Sequence, residues 1–230
     1  MTEIKTGWHK VTSEMDAFFA HSAGNENAPA IILIQEIFGV NDAMQAACHA
    51  FAEMGYHAIC PDLFHALGDK INITDKSEAE WTEAFGYYQK FNVAEGVKDI
   101  QKTIDFARQN APKVGAVGYC LGGTLAYLTA AQTDIDAAVG YYGIDIQNQL
   151  DQAKSIKNPL ILHIAGKDEY VPEEAQSQII EYFKESVLVK TYLYEGVDHA
   201  FARVNGVTFN DAAADAANKR TEEFFKIYLG

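Results

Sequence analysis

The 230-residue chain has little cysteine: three residues, Cys48, Cys60 and Cys120, with no CxxC pair among them. A disulfide framework normally needs an even number of cysteines, and a zinc site needs closely spaced ligands. The spacing therefore argues against both. It predicts reduced cysteines, no bound metal and a cytoplasmic protein.

Basic residues are also scarce, since 18 lysines and arginines stand against 32 aspartates and glutamates, a formal net charge of −14. That charge argues against nucleic acid and anionic membrane surfaces as partners. No run approaches the roughly 18 apolar residues of a membrane span, and the first residues lack the apolar core of a signal peptide. The hydrophobic content of 48% is ordinary for a globular protein. The length predicts a single domain, residues 1–230, which we expect to be a monomer.

Buried-strand patterns alternate with helix patterns along the whole chain. Apolar runs predict strands at 30–34, 56–60, 114–117, 137–141, 159–164 and 187–194, and helix patterns cover 42–54, 93–109 and 211–228. Asn41 is a predicted N-cap, Ser77 with Glu80 forms a capping box, and His163, inside a strand run, is interpreted as a hydrogen-bonded core histidine. The alternation predicts an α/β fold, a mostly parallel sheet with helices on both faces.

Functional residues of such a sheet collect where its strands end. The residues just past successive predicted strands are Glu36, Asp62, Cys120, Tyr141, Asp168 and His199. This set contains the residue types that nucleophilic catalysis requires, namely a thiol, carboxylates and an imidazole.

The segment 118–122, Gly-Tyr-Cys-Leu-Gly, has the G-x-S-x-G pattern of a nucleophile elbow, with Cys120 in the place of serine. Such a strand-to-helix turn needs glycine on both sides and points the nucleophile at the N-terminus of the next helix. A buried cysteine on an ordinary turn is the alternative. Asp168 and His199 follow in the acid-then-histidine order of α/β-hydrolases, which favours a Cys120–His199–Asp168 triad.

Two groups would support this triad. The N–H groups of Leu121 and Ile37 are the expected oxyanion hole. Glu36, beside Ile37, either faces solvent or contacts Cys120. Arg203, four residues after the histidine, either pairs with a surface carboxylate or binds a substrate carboxylate.

Aromatic side chains are the other candidates for substrate contact. Trp81 and Phe85 share one face of the helix that follows Ser77, and they form either a core stripe or the wall of a pocket. Tyr141, at the end of a strand, is a further candidate.

Five stretches carry a pattern that extends over nearly the whole chain. They are Gln35-Glu36-Ile37-Phe38-Gly39-Val40-Asn41, Cys60-Pro61-Asp62-Leu63, Gly118-Tyr119-Cys120-Leu121-Gly122-Gly123, Ala138-Val139-Gly140-Tyr141-Tyr142-Gly143 and His199-Ala200-Phe201-Ala202-Arg203. Together they resemble the dienelactone hydrolase (carboxymethylenebutenolidase) family, and the pairing of Glu36 with a cysteine elbow is quite specific to it. The resemblance implies an α/β-hydrolase fold without a large cap, the triad named above, and no cofactor.

The resemblance also implies a mechanism and a substrate. Glu36 would contact the resting thiol and swing away when substrate binds, and dienelactone would be opened to maleylacetate through an acyl-thioester, in the degradation of (chloro)aromatics. Arg203 matches one of two arginines with which family enzymes hold the substrate carboxylate. Trp81 stands in place of the other, and Phe85 replaces a nearby tyrosine.

We therefore expect a cysteine hydrolase whose partner is a small-molecule lactone or ester. The departure at Trp81 indicates a more hydrophobic pocket and a neutral or larger substrate. A carboxylesterase without dienelactone activity and a hydrolase-fold protein that binds a ligand without turnover are the alternatives.

Overall fold

The computed structural model describes residues 3–230, which divide into two compact units between Ala116 and Val117. The first unit has its own strands and helices, and so has the second. The expectation of one domain over 1–230 stays a prediction.

Four complete strands lie in the described part of the first unit, in the order β1-β2-β4-β3. They are β1 (Ile4–Lys10), β2 (Asp16–Ser22), β3 (Ala30–Ile34) and β4 (His57–Pro61). β3 and β4 are parallel, whereas β1 pairs with β2, and β2 with β4, in the antiparallel sense. Every residue of β3 is buried, which explains its unbroken apolar sequence.

The helices of the first unit begin where local capping chemistry predicts. They are α1 (Asp42–Glu53), α2 (Glu78–Lys90) and α3 (Val93–Ala107). The side chain of Asn41 accepts from the N–H of Met44 at 3.1 Å, and Ser77 Oγ accepts from the N–H of Glu80 at 3.3 Å. Both predicted N-caps are therefore confirmed. α1 packs against the strands of this unit, and α3 packs against β3 and β4.

In the second unit, helices alternate with parallel strands. After β5 (Val114–Tyr119), which contains the boundary between the units, come α4 (Leu121–Gln132), β6 (Ala137–Tyr141), a 3₁₀ segment (Ile146–Ser155), β7 (Leu160–Ala165), α5 (Glu173–Phe183), β8 (Val189–Tyr194) and α6 (Asp211–Tyr228). β6, β7 and β8 lie in that order, and both of their pairings are parallel. The carboxyl ends of these strands therefore lie at the same edge of the sheet.

The predicted α/β class with a mostly parallel sheet is confirmed. Several boundaries differ by one or two residues from the sequence-based prediction; for example, α3 ends at Ala107, and β8 begins at Val189. The later start of β8 has a local cause, because Ser186 Oγ accepts the N–H groups of Leu188 and Val189 and so forms a turn there. Among residues 3–230, the longest connection between strands, 62–113, holds only α2 and α3. As predicted, it is not a large cap.

Candidate active site

Cys120 lies on the turn between β5 and α4, with φ at 56° and ψ at −118°. A non-glycine residue with positive φ is strained, typically by about 1–3 kcal/mol, and such strain is concentrated at functional sites. A Cβ atom on Gly118 would collide with the carbonyl of Gly122, and one on Gly123 would collide with the carbonyl of Tyr141. Gly118 and Gly123 are therefore required by close approach of backbone to backbone.

The turn places Cys120 at the N-terminus of α4. Its own N–H donates to the carbonyl of Tyr141 at 3.1 Å, which ties the turn to the end of β6. Leu121 is the first residue of the helix, so its N–H has no acceptor within the helix and is aligned with the positive end of the helix dipole. An anion formed beside Cys120 would be stabilised by the N–H of Leu121 and by the helix dipole.

His199 and Asp168 form a buried pair. The distance from His199 Nδ1 to Asp168 Oδ2 is 2.7 Å, and the two residues are 7% and 4% exposed. The other carboxylate oxygen, Asp168 Oδ1, accepts the N–H of Tyr170 at 2.9 Å. With both oxygens engaged, the carboxylate is held in one orientation, and the Nδ1 proton of the imidazole is fixed on the side of Asp168.

The protonation of His199 is coupled to Cys120. Burial by itself lowers the pKa of His199, but the negative charge of Cys120 and the carboxylate of Asp168 outweigh it and raise the pKa to about 10. His199 Nε2 has no hydrogen-bond partner of acceptable geometry among the described residues. The thiol thus lies near enough to act on the charge of the ring, while Nε2 is left available to a reacting group.

Two tyrosines that the sequence did not single out surround His199. The ring of Tyr142 meets the imidazole edge-on at a centroid distance of 5.1 Å, and the ring of Tyr170 does so at 4.9 Å. Tyr170 is 41% exposed, so it also faces solvent. The sequence could have indicated Tyr170 through its position two residues after Asp168, because the turn that positions the carboxylate also positions this ring.

Strained backbone recurs around the pair. Tyr142 has φ at 39° and Ala200 has φ at 63°, in addition to the 56° of Cys120. Cys120 is a member of the predicted triad, Ala200 directly follows His199, and the Tyr142 ring contacts His199. Their clustering favours a functional interpretation of this edge of the sheet.

A buried chain of hydrogen bonds lies beneath the turn. The Tyr141 hydroxyl donates to Asn218 Oδ1 at 2.9 Å and lies 2.6 Å from Thr221 Oγ1. His163 Nε2 lies 3.1 Å from the same threonine oxygen, and His163 Nδ1 lies 2.9 Å from the Tyr194 hydroxyl. The interpretation of His163 as a hydrogen-bonded core histidine is confirmed. The Tyr141 side chain, which is fully buried, is directed into this network.

Arg203 follows His199 on the same loop and is 8% exposed. Its N–H donates to the carbonyl of Ala200 at 2.9 Å, which closes the turn after the histidine. Burial to this degree shows that the guanidinium is not a freely solvated surface group.

Glu36 and Ile37, in the first unit, directly follow β3. They are 2% and 4% exposed, so Glu36 is buried and the solvent-exposed interpretation is wrong. The loop is held by Gln35, whose Oε1 accepts the N–H of Leu63 at 3.0 Å and whose Nε2 donates to the carbonyl of Glu36 at 3.3 Å. The predicted roles of Glu36 and Ile37 toward the thiol and the oxyanion stay predictions.

Trp81 and Phe85, also in the first unit, form a small aromatic cluster with Phe38. The Trp81 ring lies 5.0 Å from that of Phe38 and 5.6 Å from that of Phe85. Trp81 Nε1 donates to the carbonyl of Asp75 at 3.2 Å, and Phe85 is 37% exposed. The cluster is thus not a fully buried core stripe, because the Phe85 ring is partly exposed to solvent. Its side chains are not free either, because the Trp81 ring contacts those of Phe38 and Phe85.

In residues 3–230 we find neither a cluster of histidine, cysteine and carboxylate side chains placed to hold a metal ion nor a helix long and apolar enough to cross a membrane.

A family model, that of the dienelactone hydrolase family, matches residues 15–229. The chain belongs to the dienelactone hydrolase family. A relative from Azospirillum brasilense is 41% identical over 218 residues, 93% of this chain and 94% of the relative. The carboxymethylenebutenolidase of Pseudomonas putida is 38% identical over 200 residues, 86% of this chain and 85% of that enzyme.

Solved structures support the fold. A crystal structure from Klebsiella pneumoniae subsp. pneumoniae has a TM-score of 0.86 at 23% identity, over 98% of this chain and 100% of that chain. A dienelactone hydrolase-like promiscuous phosphotriesterase from metagenomic libraries has a TM-score of 0.80 at 18% identity, over 100% of this chain and 99% of that chain. The α/β-hydrolase fold is confirmed, and the family makes this chain a carboxylic ester hydrolase acting on an ester or lactone bond.

Proposed function

We propose that the chain opens a lactone or ester bond through an acyl-thioester on Cys120, with His199 as acid–base and Asp168 as its orienting partner. The observation that supports this most directly is the 2.7 Å bond from His199 to Asp168, with Cys120 near enough to raise the pKa of His199 to about 10. A raised pKa favours the protonated ring, which can give its proton to a leaving group. The thiolate is the nucleophilic form of cysteine.

In the first half-reaction the thiolate sulfur of Cys120 attacks the carbonyl carbon, and the carbonyl π electrons move to oxygen. The tetrahedral intermediate collapses, the carbonyl re-forms, and the carbon–oxygen bond of the ester breaks. The leaving oxygen takes the proton of His199 Nε2. In a lactone this leaving group remains attached to the acyl chain, so the product of this half is a hydroxyacyl-thioester.

In the second half-reaction, neutral His199 removes a proton from water as the water oxygen attacks the thioester. Collapse of the second tetrahedral intermediate breaks the carbon–sulfur bond. The thiolate leaves beside an imidazolium, which returns Cys120 and His199 to the forms in which they began the first half-reaction. Asp168 carries no proton in this cycle; it holds the ring in the tautomer that leaves Nε2 for the reacting groups.

The oxyanion would be stabilised by the N–H of Leu121, at the start of α4, together with that of Ile37. Glu36 would contact the resting thiol until substrate binds, as the family resemblance implies. We assign Tyr141 a supporting role instead of substrate contact, because its hydroxyl is engaged by Thr221 and Asn218 in the interior while its carbonyl holds the N–H of Cys120.

For the substrate we propose a lactone or ester that carries at most one carboxylate. The buried Arg203 supplies one cationic group near His199. Trp81, a member of the cluster with Phe38 and Phe85, stands at the sequence position where the family resemblance implies a second arginine. This composition supports a neutral or larger ester, with dienelactone itself as the second candidate. We further propose that the protein acts as a cytoplasmic monomer.

The nucleophile is tested by substituting Cys120→Ala and Cys120→Ser, with Cys48→Ala as a matched control at another buried cysteine. We expect kcat/KM to fall by about 10⁴-fold or more in Cys120→Ala, because removal of a nucleophile abolishes the covalent route. Incubation with an activated aryl ester should add one acyl mass to the peptide that contains Cys120. Ester hydrolysis that persists in Cys120→Ala, with a normal unfolding transition, would refute the assignment.

The substrate is tested by comparing kcat/KM for dienelactone with that for an uncharged aryl acetate, in the wild type and in Arg203→Gln. Loss of a charge-assisted contact costs about 1.5–3 kcal/mol, so the variant should lose about tenfold to a hundredfold more activity on the anionic substrate. A wild-type preference for the uncharged ester supports the aromatic-pocket proposal. A clear preference for dienelactone contradicts it.

A further inference from the structure

A cavity of about 710 Å³ lies within the first unit, and none of the residues proposed above for catalysis lines it. Its walls come from the β1–β2 hairpin, the start of β4, the loop after β2 and the end of α3. The hydrolytic reaction makes no use of this space. Its lining is unusual for so acidic a chain, because it contains two lysines and three histidines.

Strand register explains how these basic side chains meet. Lys5 pairs directly with His21 across the hairpin, and in the next strand His57 pairs with Ala30. The β2–β4 register sets Ala20 opposite Ala58, so His21 and His57 are neighbours on one face. Their rings contact at a centroid distance of 5.7 Å. Lys5, His21 and His57 thus form a basic row across three adjacent strands.

The next row along the same face is apolar and has a gap. Gly7 pairs with Phe19, and Phe19 pairs with Ile59. A Cβ on Gly7 would meet only His9 Nε2, at an ordinary 3.5 Å, so the absence of a side chain here leaves room above the strand. Phe106, from α3, lies across from this row and contacts Phe19 at 5.7 Å. The cavity therefore has an aromatic floor beside a basic row.

The charges around the cavity favour an anion. Lys10 is neutralised by Asp16 at 3.1 Å, whereas Lys5 has no carboxylate partner among the described residues. Of the described lining residues, Glu26 alone carries a carboxylate. His57 Nε2 donates to the carbonyl of Asn25 at 2.6 Å and His21 Nδ1 donates to that of Ser22 at 3.3 Å. In a neutral ring the second nitrogen is an acceptor, so each ring offers a second N–H to an anion only in its charged form.

We propose that this cavity binds a small organic anion, a carboxylate joined to an aromatic or similarly flat apolar body. The apolar body lies in the gap above Gly7, against the floor that Phe19 and Phe106 form. The carboxylate meets the ammonium of Lys5, and it meets His21 and His57 through the second N–H that each ring carries in its charged form. Binding here is independent of the proposed hydrolytic mechanism, because the two sites have no residue in common.

The test uses three probes: benzoate, benzamide, which lacks the charge, and acetate, which lacks the ring. Binding is followed by calorimetry and by NMR shifts of the histidine rings. We expect benzoate to bind at least tenfold more tightly than either of the others, and to shift the signals of His21 and His57. Equal binding of benzoate and benzamide would overturn the proposal.

Two variants assign the binding to the cavity. Gly7→Leu fills the gap without changing any charge, and Lys5→Gln removes the ammonium from an exposed position; Lys190→Gln, an exposed lysine on β8, is the matched control. We expect benzoate affinity to fall about tenfold in each of the first two and to stay unchanged in the control. Ester hydrolysis should be unchanged in all three. Undiminished benzoate binding in Lys5→Gln would overturn the proposal, whatever the stability of Gly7→Leu.

Discussion

The buried His163 should make the protein sensitive to mild acid. Arg220 Nη1 donates to the Tyr194 hydroxyl at 2.8 Å, so that hydroxyl directs its own proton to His163 Nδ1. The ring in turn donates from Nε2 to Thr221. Protonation of Nδ1 would break the bond from Tyr194 and would place a second positive charge near Arg220. Burial, followed by the charge of Arg220, lowers the pKa of His163 to about 3.

The size and sign of the effect follow from linkage. The pKa of His163 is about 3 in the folded protein against an ordinary 6.5. A depressed pKa contributes stability that is fully present above 6.5 and is lost as pH falls toward 3. Each pKa unit corresponds to 1.36 kcal/mol. At pH 5 the loss is about 1.5 × 1.36, or about 2 kcal/mol, and the limit below pH 3 is about 5 kcal/mol.

The assay is urea unfolding of the wild type and of His163→Gln between pH 7.5 and pH 4.5. Glutamine can accept from Tyr194 and donate to Thr221, but it cannot titrate. The variant should be less stable at pH 7.5, and its stability should fall less steeply with acid, by about 1.4 kcal/mol per pH unit below pH 6. Because all carboxylates remain in both proteins, their contributions cancel in the difference. Parallel pH profiles of the two proteins would refute the reasoning.

Two further predictions concern the site around His199. Asp168→Asn should lower kcat by about 10³–10⁴-fold, because the amide can present a donor to Nδ1 and favour the wrong tautomer; a loss below tenfold in the ester assay would contradict the role of the carboxylate. Tyr170→Phe should keep the edge contact with His199 and nearly full activity, whereas Tyr170→Ala should lose about threefold to tenfold in kcat, since such a ring pair contributes about 0.5–1.5 kcal/mol. Equal activity of the Phe and Ala variants would remove Tyr170 from the site.

The local elements could be predicted from sequence because their causes are local. Asn41 and Ser77 cap helices through bonds to residues three positions away. The buried strands appear in the sequence as unbroken apolar runs, because parallel strands in such a sheet are buried on both faces. The elbow at Cys120 could be predicted for a similar reason, because a Cβ at Gly118 would collide with the backbone only four residues away.

Features that depend on distant residues could not be predicted in this way. The sequence alone does not show that His163 forms hydrogen bonds with Tyr194 and Thr221, or that the Tyr141 hydroxyl points into the interior. The ring contacts of Tyr170 arise from a loop conformation that no periodicity encodes. The start of β8 was misplaced for a different and local reason: Ser186 Oγ accepts the N–H groups of Leu188 and Val189, and the apolar run does not reveal that turn.

The sequence by itself determined the fold class, the family, and the order of thiol, acid and histidine, because motif spacing and strand ends are properties of neighbouring residues. Only the tertiary structure decided which groups meet. It paired His199 with Asp168 and placed Cys120 near enough to raise the pKa of that buried imidazole. It also brought Lys5, His21 and His57 into one row. Strand register and packing, acting between residues far apart in the chain, are the physical reason.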